Sequence, residues 1–201
     1  MTGTATTPSS SPDAQPGPDM VWVPGGSFLM GSDHHYPEEA PAHKVTVDGF
    51  WIDRHAVTNA EFAWGDELNP DGRWMANTWQ GEFPHQNLEL DGYAGTAPVG
   101  RYPANGYGLH DMIGNVWEWT SDWYQAHGEL AHACCTVANP RGGDRERSLD
   151  PRDRSAIPRR VMKGGSHLCA PSYCRRYRPA ARMAQAVDTG TSHLGFRCIM
   201  R

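Results

Sequence analysis

Cys169 and Cys174 are separated by four residues in Gly164-Gly165-Ser166-His167-Leu168-Cys169-Ala170-Pro171-Ser172-Tyr173-Cys174, and Arg175, Arg176, Tyr177 and Arg178 follow at once. The segment places a dithiol beside a hydroxyl and a cationic wall. Thiolates are the reactive and metal-binding form of cysteine, and neighbouring guanidinium groups favour that form. Two soft sulfur ligands on one short loop suit a soft ion such as Cu(I), with a position left open for a third thiolate. Spacing alone equally admits an inert loop disulfide, so at this level both readings stand.

The elements that must position this loop are short. The chain has 22 Gly and 16 Pro among 201 residues, against an ordinary share of about 12%, which predicts many turns and few long helices. Eight Trp are expected to supply much of the buried apolar area. Trp22 to Pro24 and Ser27 to Met30 read as short strands around Gly25-Gly26. Val45 to Val47 and Phe50 to Ile52 read as a tight hairpin with a two-residue Asp48-Gly49 turn. From Trp64 to Pro103, aromatic residues alternate with Gly, Pro, Asn and Asp, which predicts loops anchored by rings. Val116 to Trp119, Arg160 to Lys163 and Leu194 to Met200 are further strand candidates. Thr58 and Glu61 have capping-box spacing, but Gly65, Pro70 and Gly72 cut the helix off after barely two turns. Residues 1–18 are expected to be a disordered Thr/Ser/Pro tail, and residues 19–201 a single domain.

The net charge of −5 hides an asymmetry: residues 141–182 hold 12 of the 18 Lys and Arg against four acids. These arginines alternate with acids or cluster with cysteines, which predicts ion pairs and a site wall and no nucleic-acid partner. No apolar run approaches the ~20 residues of a membrane span, and no basic leader precedes an apolar core, so a cytoplasmic location and no membrane partner are expected. In that compartment thiol chemistry and metal binding gain weight over structural disulfides. Cys134 and Cys135, being adjacent, do not readily bond to each other. His34-His35 lacks the spacing of a helical zinc site and reads as solvated.

Several ordered blocks resemble the formylglycine-generating enzymes, or sulfatase-modifying factors. They are Met20 to Gly26 with Phe28 to Ser32, Gly49 to Asp53 with Val57-Thr58-Asn59, Ala76 to Pro84, Asn105 to Leu109, Gly114 to Trp119, the cysteine loop, and Leu194 to Cys198. The chain departs from that family in one place. Relatives carry a long stretch where Ala63 here runs directly into Trp64-Gly65-Asp66, so an internal segment is missing after residue 63.

The resemblance implies an irregular, loop-rich α+β domain with the C-type-lectin-like fold of that family. It implies an oxidase that uses Cu(I) and molecular oxygen to convert the cysteine of a Cys-x-Pro-x-Arg segment, in an unfolded sulfatase polypeptide, to Cα-formylglycine. Cys169 and Cys174 become the copper ligands, with Cys174 the partner of a transient mixed disulfide. Ser166 and Trp117 join them as catalytic positions, and His167, His193 and Arg178 fall at substrate-binding positions. Two Ca²⁺ sites are implied, one at Asn77, Thr78, Asp91 and Tyr93, the other at Asp111, Gly114, Val116 and Glu118; oxygen-rich loops of this kind suit that ion. A disulfide at Cys198 is not expected, since its usual partner belongs to the missing stretch. Three other readings compete: an inactive truncated paralogue, a calcium-stabilised binding module without chemistry, and a relative of iron-dependent sulfoxide synthases, which would need a histidine cluster.

Overall fold

Two bent ribbons form the first half of the molecule. Met20–Val23 (β1) and Gly26–Met30 (β2) follow each other across Pro24-Gly25, and His43–Val47 (β3) and Phe50–Asp53 (β4) follow each other across Asp48-Gly49. β1 pairs antiparallel with β4, Val23 opposite Phe50, and β2 pairs antiparallel with β3, Gly26 opposite Val47. The computed structural model describes residues 14–54, 69–127, 136–140 and 142–201. The Thr58–Glu61 capping box, the Ala63-Trp64 junction, Cys134-Cys135 and residues 1–13 lie outside them.

The hairpin expected across Asp48-Gly49 is corrected by this pairing: β3 and β4 are not partners but belong to different sheets. Asp48-Gly49 and Pro24-Gly25 are instead the paired bends at which each ribbon leaves one sheet for the other. Glycine is required there by proximity and not by a left-handed backbone. A Cβ on Gly49 would overlap the Trp22 ring, and one on Gly25 would sit 2.6 Å from the Val47 carbonyl oxygen. Asp48 is held from elsewhere, its N–H donating to Asn139 Oδ1 at 2.7 Å.

The second half is built on Trp117–Trp123 (β5), Val137–Ala138 (β6), Arg159–Lys163 (β7), Met183–Ala186 (β8), Leu194–Gly195 (β9) and Ile199–Met200 (β10). β8, β7, β5 and β9 form a four-stranded sheet in that order; β10 joins β4, and β6 joins β3. The single closing strand expected over Leu194 to Met200 is therefore two short pieces in two sheets. Between them Arg197 donates to the carbonyls of Asp53 and His110 at 3.1 and 2.9 Å, which turns the chain from one sheet to the next.

Residues 69–116 carry no strand, and their regular structure is the one-turn 3-10 helix Pro70–Gly72. Loops of this kind hold their shape by side-chain clips. Asn115 Oδ1 accepts the Ala97 N–H at 2.8 Å and its Nδ2 donates to the Ala97 carbonyl at 3.1 Å, a two-point clamp that stands in for a strand partner. Among the described residues there is no α-helix, and no helix is long and apolar enough to cross a membrane. One core cluster gathers Ala76, Ile113, Trp117, Met162, Cys169 and Tyr177, and a second gathers Val23, Ile52 and Leu109; Met112 packs against both.

Candidate functional site

β7 ends at Lys163 and runs directly into Gly164-Gly165, both with left-handed backbones (φ 86° and 70°). Gly165 is also pressed against the chain that follows the cysteines, since a Cβ there would lie 2.8 Å from Tyr177 N and Cα. Neighbouring loops are stitched below this turn. The Gly114 N–H donates to the Gly164 carbonyl at 2.9 Å, Asn115 N–H to the Asn77 carbonyl at 2.8 Å, and His167 N–H to the Asn115 carbonyl at 3.0 Å. The Trp79 N–H donates to the Cys169 carbonyl at 3.1 Å.

The loop from Ala170 to Cys174 closes on itself as a helical turn, Cys174 N–H donating to the Ala170 carbonyl at 2.9 Å. That closure brings Cys169 Sγ and Cys174 Sγ to 3.2 Å, well beyond the ~2.05 Å of a disulfide, as two free thiols. Cys169 is buried at 2% exposure, while Cys174 is half-buried. The burial difference splits the pair chemically. The hydrogen bond from Cys169 lowers the Cys174 pKa to about 6, helped by Arg176 and opposed by burial. The Cys169 thiol is pushed up by holding that same proton and by burial. Both shifts run the same way, so the more open sulfur gives up its proton more readily and the buried one holds it.

Arg176 is anchored from a distant part of the chain. Its Nη2 and Nε donate to Glu38 Oε1 at 2.7 and 3.3 Å, and its guanidinium lies 4.1 Å from the Tyr36 ring centre. The Tyr36 hydroxyl accepts the Arg175 N–H at 3.2 Å. Ser166 is buried beneath the pair; its N–H points at Cys169 Sγ at 3.5 Å and its hydroxyl accepts the Leu168 N–H at 3.3 Å. Trp117 packs in the same core cluster as Cys169. The His167 and His193 rings meet edge to face at 6.1 Å, and burial followed by His167 lowers the His193 pKa.

Arg178 points elsewhere than its sequence neighbours. Its Nη2 and Nη1 form a fork on Glu39 at 2.6 and 3.1 Å, and Glu39 is completely buried. The same interior region contains Lys163, pushed by burial to a pKa of about 7. Sequence reasoning did not single out Tyr36, Glu38 or Glu39. The signal available was two acids in Tyr36-Pro37-Glu38-Glu39 facing an arginine run 138 positions later, and no periodicity connects segments so far apart.

The two oxygen-rich sets differ in how they use their oxygens. Asp91 accepts the N–H groups of Thr78 and Tyr93 at 3.0 and 3.1 Å, so it clips its loop, while Asn77 Oδ1 and Thr78 Oγ1 are buried and without a partner. In the second set Asp111 Oδ1 and Glu118 Oε2 are both buried and without a partner, and Arg197 Nη2 stands 3.6 Å from Glu118 Oε1. Burial and then Asp111 drive the Glu118 pKa up to about 8, against the pull of Arg197. Leaving buried carboxyl oxygens unmatched costs about 1–3 kcal/mol each, so this set fits a hard cation that would take both. Among the described residues no three His, Cys, Asp or Glu converge, so carbonyl and amide oxygens would complete either set.

A dithiol with one buried and one half-buried sulfur sits on a glycine turn, floored by stitched loops and edged by short sheets, in an irregular, loop-rich α+β domain. The sulfatase-modifying factor enzyme 1-like domain model matches residues 5–64 and 60–201, two pieces that overlap at residues 60–64. A formylglycine-generating enzyme of Mycobacterium tuberculosis is 33% identical over 300 aligned positions, covering 90% of this chain and 97% of that protein. One from Thermomonospora curvata is 46% identical over 194 positions, covering 95% of this chain and 58% of that protein. The solved structure of PvdO from Pseudomonas aeruginosa shares the fold, with a TM-score of 0.60 at 19% identity over 98% of this chain and 99% of that one. The chain belongs to the sulfatase-modifying factor family. Its alignments to the Thermomonospora protein and to three other curated relatives span only 35% to 58% of their length.

Proposed function

We propose that this chain is a formylglycine-generating oxidase acting on the cysteine of a Cys-x-Pro-x-Arg segment in an unfolded sulfatase polypeptide, with molecular oxygen and Cu(I). The observation that carries the reading is the pair of free sulfurs 3.2 Å apart, one buried and one open to an incoming thiol. Two soft donors within reach of one ion fit Cu(I), and Cys169 and Cys174 would hold it. The bound ion would supply the one-electron chemistry that side chains lack. This chain's own residues do the rest. Without the ion, Cys169 holds the shared proton in the interior; as copper ligands both sulfurs would be thiolates, with Cys174 the one that faces the substrate sulfur. Trp117, Met162 and Tyr177 exclude water from the inner sulfur, and the Ser166 N–H orients it. His167 and His193 form a wall against which a polypeptide can lie. Ca²⁺ at the Asp111 and Glu118 oxygens would tie the loop at Asp111 to β5, which carries Glu118.

The test is to incubate the Cu(I)-loaded chain and oxygen with a Cys-x-Pro-x-Arg peptide and measure the aldehyde product by mass spectrometry. Turnover lost in Cys169→Ser and Cys174→Ser is expected. Absence of aldehyde from loaded, folded wild-type protein would leave the calcium-stabilised binding module, which the unpartnered Asp111 and Glu118 oxygens favour.

A further inference from the structure

A cavity of about 420 Å³ lies between the Gly31–His35 loop and the chain that follows the sulfur pair. Its charged lining is uneven. Arg175 and Arg178 both contribute, along with His34 and His35, and Asp33 is the one carboxylate among the described lining residues. Asp33 is already engaged, its Oδ1 accepting the Ala42 N–H at 2.9 Å. Arg178 is forked on Glu39, so its charge is matched and it serves as a fixed part of the wall. Arg175 is different: it is exposed, and the side chain it meets is the neutral Tyr177 hydroxyl. The local field agrees with this inventory, because after burial the groups that hold the His35 pKa down are led by Arg178, with Arg175 also contributing. Leu29, Pro179 and Ala180 give the cavity an apolar side.

We propose that this cavity binds a carboxylate carried on a short apolar stem, with Arg175 closing on the carboxylate and the stem lying against Leu29, Pro179 and Ala180. A guanidinium presents two parallel N–H groups to a carboxylate, and Arg175 has no carboxylate of its own among the described lining residues to compete for them. Two sources share this chemistry. One is a free organic acid. The other is an acidic side chain of a polypeptide held at the sulfur pair. Arg175 directly follows Cys174, and three or four extended residues span roughly 10–14 Å, enough to carry an acid from the sulfurs into the cavity. The free acid stands apart from the oxidase reading, whereas the peptide source rests on that reading, because it takes a polypeptide to be held at the sulfur pair.

The experiment is titration calorimetry on the full chain without added copper. One arm compares glutarate with its neutral diamide. A second compares two peptides in which Ser replaces the reacting cysteine and Glu or Gln stands four residues away, on either side. The acid is expected to bind at least 10-fold tighter than its amide in one arm, and the difference identifies the source. R175Q should abolish the preference, R175K should retain part of it, and 0.5 M NaCl should weaken it. Because Arg175 is exposed, unchanged thermal melting checks that the variants fold. Equal affinity of acid and amide in both arms, or an undiminished preference in R175Q, would overturn the proposal.

Discussion

Removing the carboxylate of Glu39 is the sharpest test of how the cysteine turn is supported. Glu39 is fully buried and accepts both Arg178 terminal nitrogens, while Arg178 Nε already has no partner. It is also the carboxylate that opposes the burial of Lys163, whose charge is further disfavoured by Arg182 and Arg178. Glu39→Gln keeps the volume and leaves a buried guanidinium without its counter-ion, a change that costs about 3–5 kcal/mol. For a chain of this size each kcal/mol lowers Tm by about 2–4 °C, so a fall of roughly 6–20 °C is expected by calorimetry or circular dichroism. The double variant Glu39→Leu, Arg178→Met removes both charges and should recover most of the loss, because a buried pair replaced by apolar side chains is often neutral. The coupling in the full double-mutant cycle measures the interaction directly. A Tm change under about 2 °C in Glu39→Gln, or a double variant as unstable as the sum of the singles, would refute this account.

Four further outcomes are expected. Burial, Arg182 and His43 hold the His127 pKa at about 4, below its unfolded value, so the unfolded chain binds the extra proton first and stability falls as pH drops from 6.5 towards 4. Across pH 6.5 to 5 the loss should reach about 1–2 kcal/mol and flatten in His127→Gln; an unchanged slope in that variant refutes it. Iodoacetamide should modify Cys174 with a midpoint near pH 6 and spare Cys169, and Cys169→Ser should move the midpoint upward; peptide mapping showing a midpoint above 8 contradicts the shared-proton pair. Adding Ca²⁺ to chelator-treated protein should raise Tm, by about 2.7 kcal/mol of stabilisation at 100 times Kd, and the rise should vanish in Asp111→Asn with Glu118→Gln. Gly49→Ala should cost about 1–3 kcal/mol by forcing a Cβ into the Trp22 ring, and a neutral result in denaturant melts would remove the packing explanation for that bend.

The strands were legible to different degrees, for physical reasons that can be named. β5 and β7 carry local apolar and β-branched or aromatic signals; β7 formed within one residue of its expected bounds, while β5 starts at Trp117 and runs four residues past the expected end, to Trp123. The Asp48-Gly49 pair carries the same letters as a hairpin turn, but the glycine there answers a ring from β1, a contact that local turn chemistry cannot report. β8 is Met-Ala-Gln-Ala, a sequence with little strand preference that pairs because β7 offers it an edge. Leu194 to Met200 reads as one strand until Arg197 claims two carbonyls from other loops and breaks it.

By itself the sequence determined that two cysteines share a short loop after a glycine pair, beside arginines and inside an ordered series of family blocks. Those are properties of neighbouring residues, and covalent connectivity keeps neighbours together. Only the tertiary structure decided which sulfur is buried and which is open, that Arg176 answers to Glu38 while Arg178 answers to Glu39, and that two carboxylate oxygens of Asp111 and Glu118 are buried without partners. Proton affinity and charge pairing depend on distance and dielectric, and both are set by segments that meet only when the chain has folded.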